Sequence, residues 1–181
     1  MRERLADEIT PKIVELSKVD EETRNAAAYS IDLDLGTWSK THPDSDGTAW
    51  FKFTLDQVYC VNQVVNYNSN GTPSLTWTCS QTDCTKCEGR WCSDYSLTVS
   101  SEGAVPGNLP PATDCRYGNT VKMQYDTYAF SVCEISIAGK QVVGKIRALF
   151  HTVSATLVPI KAPLIVILLI YPNIMHATRI T

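Results

Sequence analysis

Histidine is scarce in this chain. His42, His151 and His176 are the three among 181 residues. No serine or cysteine nucleophile can therefore be given a plausible base partner. No glycine-rich phosphate loop, G-x-S-x-G elbow or H-E-x-x-H pair occurs. The chain is expected not to be an enzyme. Net charge is only −3, so nothing global points to nucleic acid. The first 28 residues lack the apolar stretch and small-residue cleavage site of a secretory signal.

Acid is also missing from the end of the chain. All 19 Asp and Glu lie at or before Glu134, and the 47 residues after it carry five Lys or Arg. Such a break suggests that residues 142–181 form a basic and apolar tail outside the folding unit. Within it, the uncharged stretch Ala162–Thr178 is 17 residues long and contains Pro163 and Pro172. A membrane-spanning helix needs ~20 apolar residues. The segment reads as a buried or foreign tail rather than a span, with membrane contact through it left open.

Cysteine, by contrast, is concentrated. Cys60, Cys79, Cys84, Cys87, Cys92, Cys115 and Cys133 all fall within 74 residues. In an oxidising compartment such residues pair, stabilising the fold by ~2–4 kcal/mol per bridge. Cys60, Cys79, Cys84, Cys87, Cys92 and Cys115 are expected in disulfides, with pairing undetermined. Asn70-Gly71-Thr72 is an N-glycosylation sequon in a polar turn. Both features point to an extracellular or cell-surface protein. With no signal sequence in the chain, either its natural start is missing or the protein is intracellular; the cysteines favour the first. The intracellular alternative is a zinc site at Cys79-x4-Cys84-x2-Cys87-x4-Cys92.

Residues 1–28 form a lead-in. Ile9, Ile13, Val14 and Leu16 give a partial helical stripe, so this segment reads as either a helix or an irregular leader. From Tyr29 to Gln141 the texture is that of short strands. The runs 49–55, 63–67, 74–79, 95–101, 120–125 and 129–139 alternate or are β-rich, and turn clusters separate them. Many short strands without helical periods between them predict an all-β sandwich or barrel. Trp50 and Trp77 are expected in its core, and Trp38 and Trp91 in loops able to touch a ligand.

The order of several short motifs carries a resemblance. Ile31-Asp32-Leu33-Asp34 is followed by Thr37 to His42, then Trp50-Phe51, Leu55-Asp56 and, much later, Cys133-Glu134. This series resembles the F5/8 type C (discoidin-like) and F-type lectin families, which share the galactose-binding-like jelly roll. The resemblance implies a calcium ion where the early loop meets the last strand. Asp32 and Glu134 would supply carboxylates, Asp34 and Ser39 or Thr41 further oxygens, and Tyr29 and Cys133 carbonyls. An all-oxygen set suits Ca²⁺. Leu33 stands where the family has glycine, which narrows the loop's options. On the residues alone, Asp32 and Asp34 are equally readable as turn residues.

The resemblance also implies a sugar site. Ser39-Lys40-Thr41-His42 matches its first element and gives His42; Arg90 matches its last, and Trp38 is a candidate contact. The middle basic element is missing, because no Lys or Arg occurs between Lys52 and Lys86. Fixed cationic donors of that kind are therefore lacking, and His42 reads as well as an ordinary loop residue. The expected function is a calcium-stabilised module that binds carbohydrate at a glycan or other cell-surface ligand. The alternative is an adhesion module for protein or membrane that binds no sugar.

Overall fold

The computed structural model describes residues 5–18, 27–103, 107, 109–126 and 128–142. The tail beyond Val142 lies outside them, as do residues 1–4 and 19–26 of the lead-in. Among the described residues there are ten strands, one 3-10 turn at Ala27–Ser30 and no α-helix.

The strands are β1 (Glu8–Ile9), β2 (Ile13–Leu16), β3 (Ser39–Thr41), β4 (Thr48–Tyr67), β5 (Pro73–Thr78), β6 (Lys86–Glu88), β7 (Tyr95–Ser100), β8 (Arg116–Asp126), β9 (Phe130–Val132) and β10 (Glu134–Gln141). Strand β4 organises the rest. Its first half pairs with β8 and β2, and its second half with β10 and β5, while β8 continues beside Tyr59–Val61. Between the halves the register slips: Thr54 faces Thr120, but Tyr59 faces Gly118. Leu55–Val58 therefore oppose Asn119 alone, and such an excess of residues on one strand bends it. The bend sends β4 from one half of the sandwich into the other. One half reads β7-β8-β4-β2 and the other β6-β5-β4-β10-β1, with β3 and β9 forming a separate pair. This is the expected jelly-roll β-sandwich.

Alternation explains the packing. Along Thr48–Leu55, every second residue from Ala49 is buried. Phe51 and Phe53 point inward with Val99, Val121 and Met123, and meet Val64, Leu75, Trp77, Ile135 and Ile137 from the other half. Each such side chain contributes roughly 1.5–3 kcal/mol on full burial. Trp77 is buried as expected, at 1% exposure. Trp50 is not a core residue. It sits one position out of phase with Phe51, on the outer face, with the Lys122 ammonium 5.2 Å above its ring. Strand β10 differs, being buried on both faces from Glu134 to Gly139. Gly139 lies where β10 slips against β4, and a Cβ there would come within 2.6 Å of the Cys60 carbonyl oxygen.

The lead-in, expected to be a helix or an irregular leader, instead contributes two strands. Ile9 lies in β1 against β10, and Ile13–Leu16 form β2 against Thr54–Phe51 of β4. The stripe of Ile9, Ile13, Val14 and Leu16 has too few turns to hold a helix by itself. The edge of β4 offers backbone partners instead. Val14 and Leu16 then turn to the core, and Ile13 stays 55% exposed.

Cys60–Cys115, Cys79–Cys84 and Cys87–Cys92 are disulfides, and Cys133 is the free thiol. The four clustered cysteines are thus paired with one another, which removes the zinc reading. They frame β6, a short strand hidden in what reads from sequence as a polar loop.

Candidate functional site

Glu134 opens β10 and is 1% exposed. Its Oε2 accepts the backbone N–H of Leu33 at 2.9 Å. One hydrogen bond therefore joins the early loop to the last strand across 101 sequence positions. The loop is built from Asx turns, in which a carboxylate accepts a nearby backbone donor. Asp32 Oδ1 accepts Asp34 N–H at 2.8 Å, and Asp34 Oδ1 accepts Gly36 N–H at 2.8 Å. The Thr37 hydroxyl donates to Asp32 Oδ2 at 2.9 Å. Leu33 sits at φ +67°, the left-handed region a glycine would favour.

The loop that carries Asp32 and Asp34 thus meets Glu134 through the Leu33 N–H. Asp32, Asp34 and Glu134 bound one loop, Cys133 adjoins Glu134, and Tyr29 lies in the 3-10 turn just before. Ser39 is fully buried in β3 opposite Val132. Thr41 is buried on the same strand, its hydroxyl 2.7 Å from that of Ser17, beside β2. Among the described residues no three His, Cys, Asp or Glu side chains converge as a metal cluster. A cation here would draw on Glu134, Asp32 and backbone carbonyls. These are hard oxygen donors, of the kind calcium takes, and the loop and the buried carboxylate fit it in that respect.

A second feature lies where several strands end together. β4 starts at Thr48 opposite Asp126, the last residue of β8. β7 starts at Tyr95 opposite Tyr125, and β9 starts at Phe130 opposite Thr41, the last residue of β3. Aromatic residues collect there. Tyr95 and Tyr125 stack at 4.7 Å between ring centroids, and Tyr128 follows at 6.1 Å from Tyr125. Phe130 packs edge-on beneath Tyr95 at 5.3 Å and against Phe51 at 5.2 Å, anchoring the group to the core. Tyr128 is 67% exposed. The Tyr95 hydroxyl is pushed up to about 12, by burial first and then by Tyr125 and Asp94.

The loop before Tyr95 adds to this end. The Cys87–Cys92 bridge staples it, and Asp94 N–H donates to the Trp91 carbonyl at 3.0 Å. Trp91 is 51% exposed, and the Arg90 guanidinium lies 4.8 Å over its ring. His42 follows Thr41 and so emerges beside the Tyr128 turn, its N–H donating to Lys18 carbonyl at 3.0 Å. Trp38 precedes Ser39 at the other end of β3, next to Cys133. The register thus separates Trp38 from His42. Tyr95, Tyr125 and Tyr128 were not legible as site residues; the one hint was Tyr125-x2-Tyr128 ahead of a strand. Asn70 lies exposed in the β4–β5 turn, its Oδ1 accepting the Thr72 hydroxyl at 2.7 Å.

No family model matches the chain, and no curated protein matches it. Solved structures of similar fold are known. The CBM32 of AlyQ in complex with 4,5-unsaturated mannuronic acid shares 16% identity, with 72% of this chain and 96% of that one covered at a TM-score of 0.45. A Streptococcus pneumoniae fucose binding module shares 13%, covering 71% and 92% at 0.46. Chitosan-binding module 1 from the chitosanase/glucanase of Paenibacillus sp. IK-5 shares 15%, covering 74% and 100% at 0.48.

Proposed function

We propose that this chain is a non-catalytic, extracellular carbohydrate-binding module that recognises glycans at the aromatic end of the sandwich. The observation that carries this is the run of Tyr95, Tyr125 and Tyr128 at one set of strand ends, with Tyr128 67% exposed and Trp91, 51% exposed, in the loop that leads into Tyr95. Pyranose rings present a weakly polar C–H face that packs on flat aromatic rings, and their hydroxyls need nearby polar groups. Contiguous apolar surface left open to water marks binding sites, and the Tyr95–Tyr125–Tyr128 series is contiguous. Asp94 beside Tyr95 and Arg90 over Trp91 would supply polar groups, with His42 following Thr41 at the same strand ends. Three disulfides suit an oxidising compartment.

Calcium belongs to this reading as a structural ion. Glu134, Asp32 and carbonyls of the 29–37 loop would hold it, bracing that loop against β10. An ion bound only by the folded state stabilises it by ~2.7 kcal/mol at a hundredfold excess over Kd.

The test is a glycan array probed with the full chain, with and without chelator, beside Trp91→Ala and Tyr128→Ala. Retention on defined glycans, weakened by either substitution, is the expected outcome. No retention on any glycan, or retention that both variants keep in full, refutes the site. Melting curves that coincide with calcium and with chelator refute the ion.

A further inference from the structure

Away from the aromatic end, β1, the β4 bend and the end of β10 border an open hollow of about 500 Å³. Asp7, Lys12, Asp56, Tyr59 and Lys140 are among its lining residues. The hollow exists because two local irregularities meet there. Leu55–Val58 bulge out of β4, and β10 slips by one residue at Ala138/Gly139. Asp7 is held at φ +57° while its carbonyl accepts Gly139 N–H at 3.1 Å. A volume of this size is in the range of small-molecule sites.

Its charges are arranged unusually. Carboxylates and ammonium groups line the same hollow, yet among the described residues neither Lys12 nor Lys140 has a carboxylate within ion-pair distance. Lys52, by contrast, is held by Glu15 and Glu102 at 3.0 and 3.2 Å. Tyr59 presents a half-buried ring whose hydroxyl donates to Asp56 Oδ1 at 2.8 Å. Separated acceptors and donors around an aromatic ring suit a ligand carrying both kinds of group on a small ring.

We infer that this hollow is a second glycan subsite, taking one neutral pyranose residue with its face toward Tyr59 and its hydroxyls on Asp56 and Lys140. It goes beyond the aromatic-end reading and stands or falls separately. A chain with two such sites would grip a branched or multivalent glycan with an avidity neither site has by itself.

The experiment is a titration of the ¹⁵N-labelled full chain by NMR, in parallel with Tyr128→Ala. The probes are methyl β-galactopyranoside, methyl β-mannopyranoside and the methyl glycoside of N-acetyl-β-glucosamine. Saturable shifts of the Gly139, Lys140 and Gln141 amides are expected with at least one probe, with Kd on the order of 1 mM. They should persist in Tyr128→Ala and weaken about tenfold in Asp56→Asn or Lys140→Ala, each having lost a charge-assisted hydrogen bond. Both substituted positions are exposed, so neither variant threatens the fold. Shifts here with a silent aromatic end would sink the proposed site and leave this one standing. Amides that stay still with all three probes, or shifts unchanged by Asp56→Asn and Lys140→Ala, overturn the inference.

Discussion

Removing Cys60–Cys115 should cost far more stability than removing either of the other two disulfides. The bridge closes a loop with a sequence separation of 55, while Cys79–Cys84 and Cys87–Cys92 each span 5. In the chain-entropy account a bridge stabilises by restricting the unfolded chain, and the effect grows with the logarithm of loop length. That gives about 4 kcal/mol for Cys60–Cys115 and about 2 kcal/mol for each short bridge. For a domain of this size the difference converts to a Tm loss of roughly 12–16 °C against roughly 6–8 °C. The variants are the double substitutions to Ala, because Cys79, Cys84 and Cys115 are all buried at 3% exposure or less and a hydroxyl would add a desolvation cost. Urea unfolding followed by tryptophan fluorescence gives ΔG and m together. The m-value should rise most for the Cys60/Cys115 variant, whose unfolded chain expands most. Equal losses for all three variants would refute the loop-length reasoning. So would a Cys60/Cys115 variant that is the least affected; either result would locate the stabilisation in local packing around β6.

Three further outcomes are expected. Leu33→Gly should be neutral or stabilise by up to about 1 kcal/mol, because it relieves a left-handed backbone while giving up a side chain that is 50% exposed; a clear Tm drop would show that the Leu33 side chain is needed. Tyr95 has a folded pKa of about 12 against 10.0 when free, so its contribution is complete below pH 10 and is lost as pH rises through 12. Tyrosinate absorbance should therefore show a late-titrating component that Tyr95→Phe removes, and an unchanged titration would count against the burial. Expressed through a eukaryotic secretory route, the chain should carry a glycan that N-glycosidase removes and Asn70→Gln abolishes; identical masses for the two proteins would show that the Asn70 turn is not modified.

The strands were legible because burial imposes a period of two, and that period is plain in Ala49–Leu55 and Tyr95–Ser100. Strand β2 was not. Four residues of alternation look the same as one turn of amphipathic helix, and the choice is made by the open edge of β4, which is distant in sequence. Strand β6 was hidden for a different reason. Lys86-Cys87-Glu88 has little β character, and it is held by pairing with Thr76–Thr78 and by the disulfides on either side. Trp50 shows the limit of composition. A tryptophan favours burial on average, but the phase of β4 is set by Phe51 and Phe53, and it turns Trp50 outward.

The two candidate features differ in how far they could be read in advance. The meeting of the early loop and the last strand was expected from short motifs whose order resembles a known family, but through a shared ion rather than through the Leu33 N–H that Glu134 accepts. The aromatic end carries no motif. Tyr95 and Tyr125 lie thirty positions apart, and they stack because the β7–β8 register places them opposite each other. Slipping β7 by one residue would move the Tyr95 ring to the other face of the sheet, away from Tyr125. Val99 prevents this: it pairs with the buried Val121 in the same ladder, is 1% exposed, and would be driven into water by the same slip. The buried valines thus fix the position of the half-buried, stacked tyrosines. Local sequence around Tyr128 cannot reveal a surface whose geometry is set by core residues at the far end of the same strands.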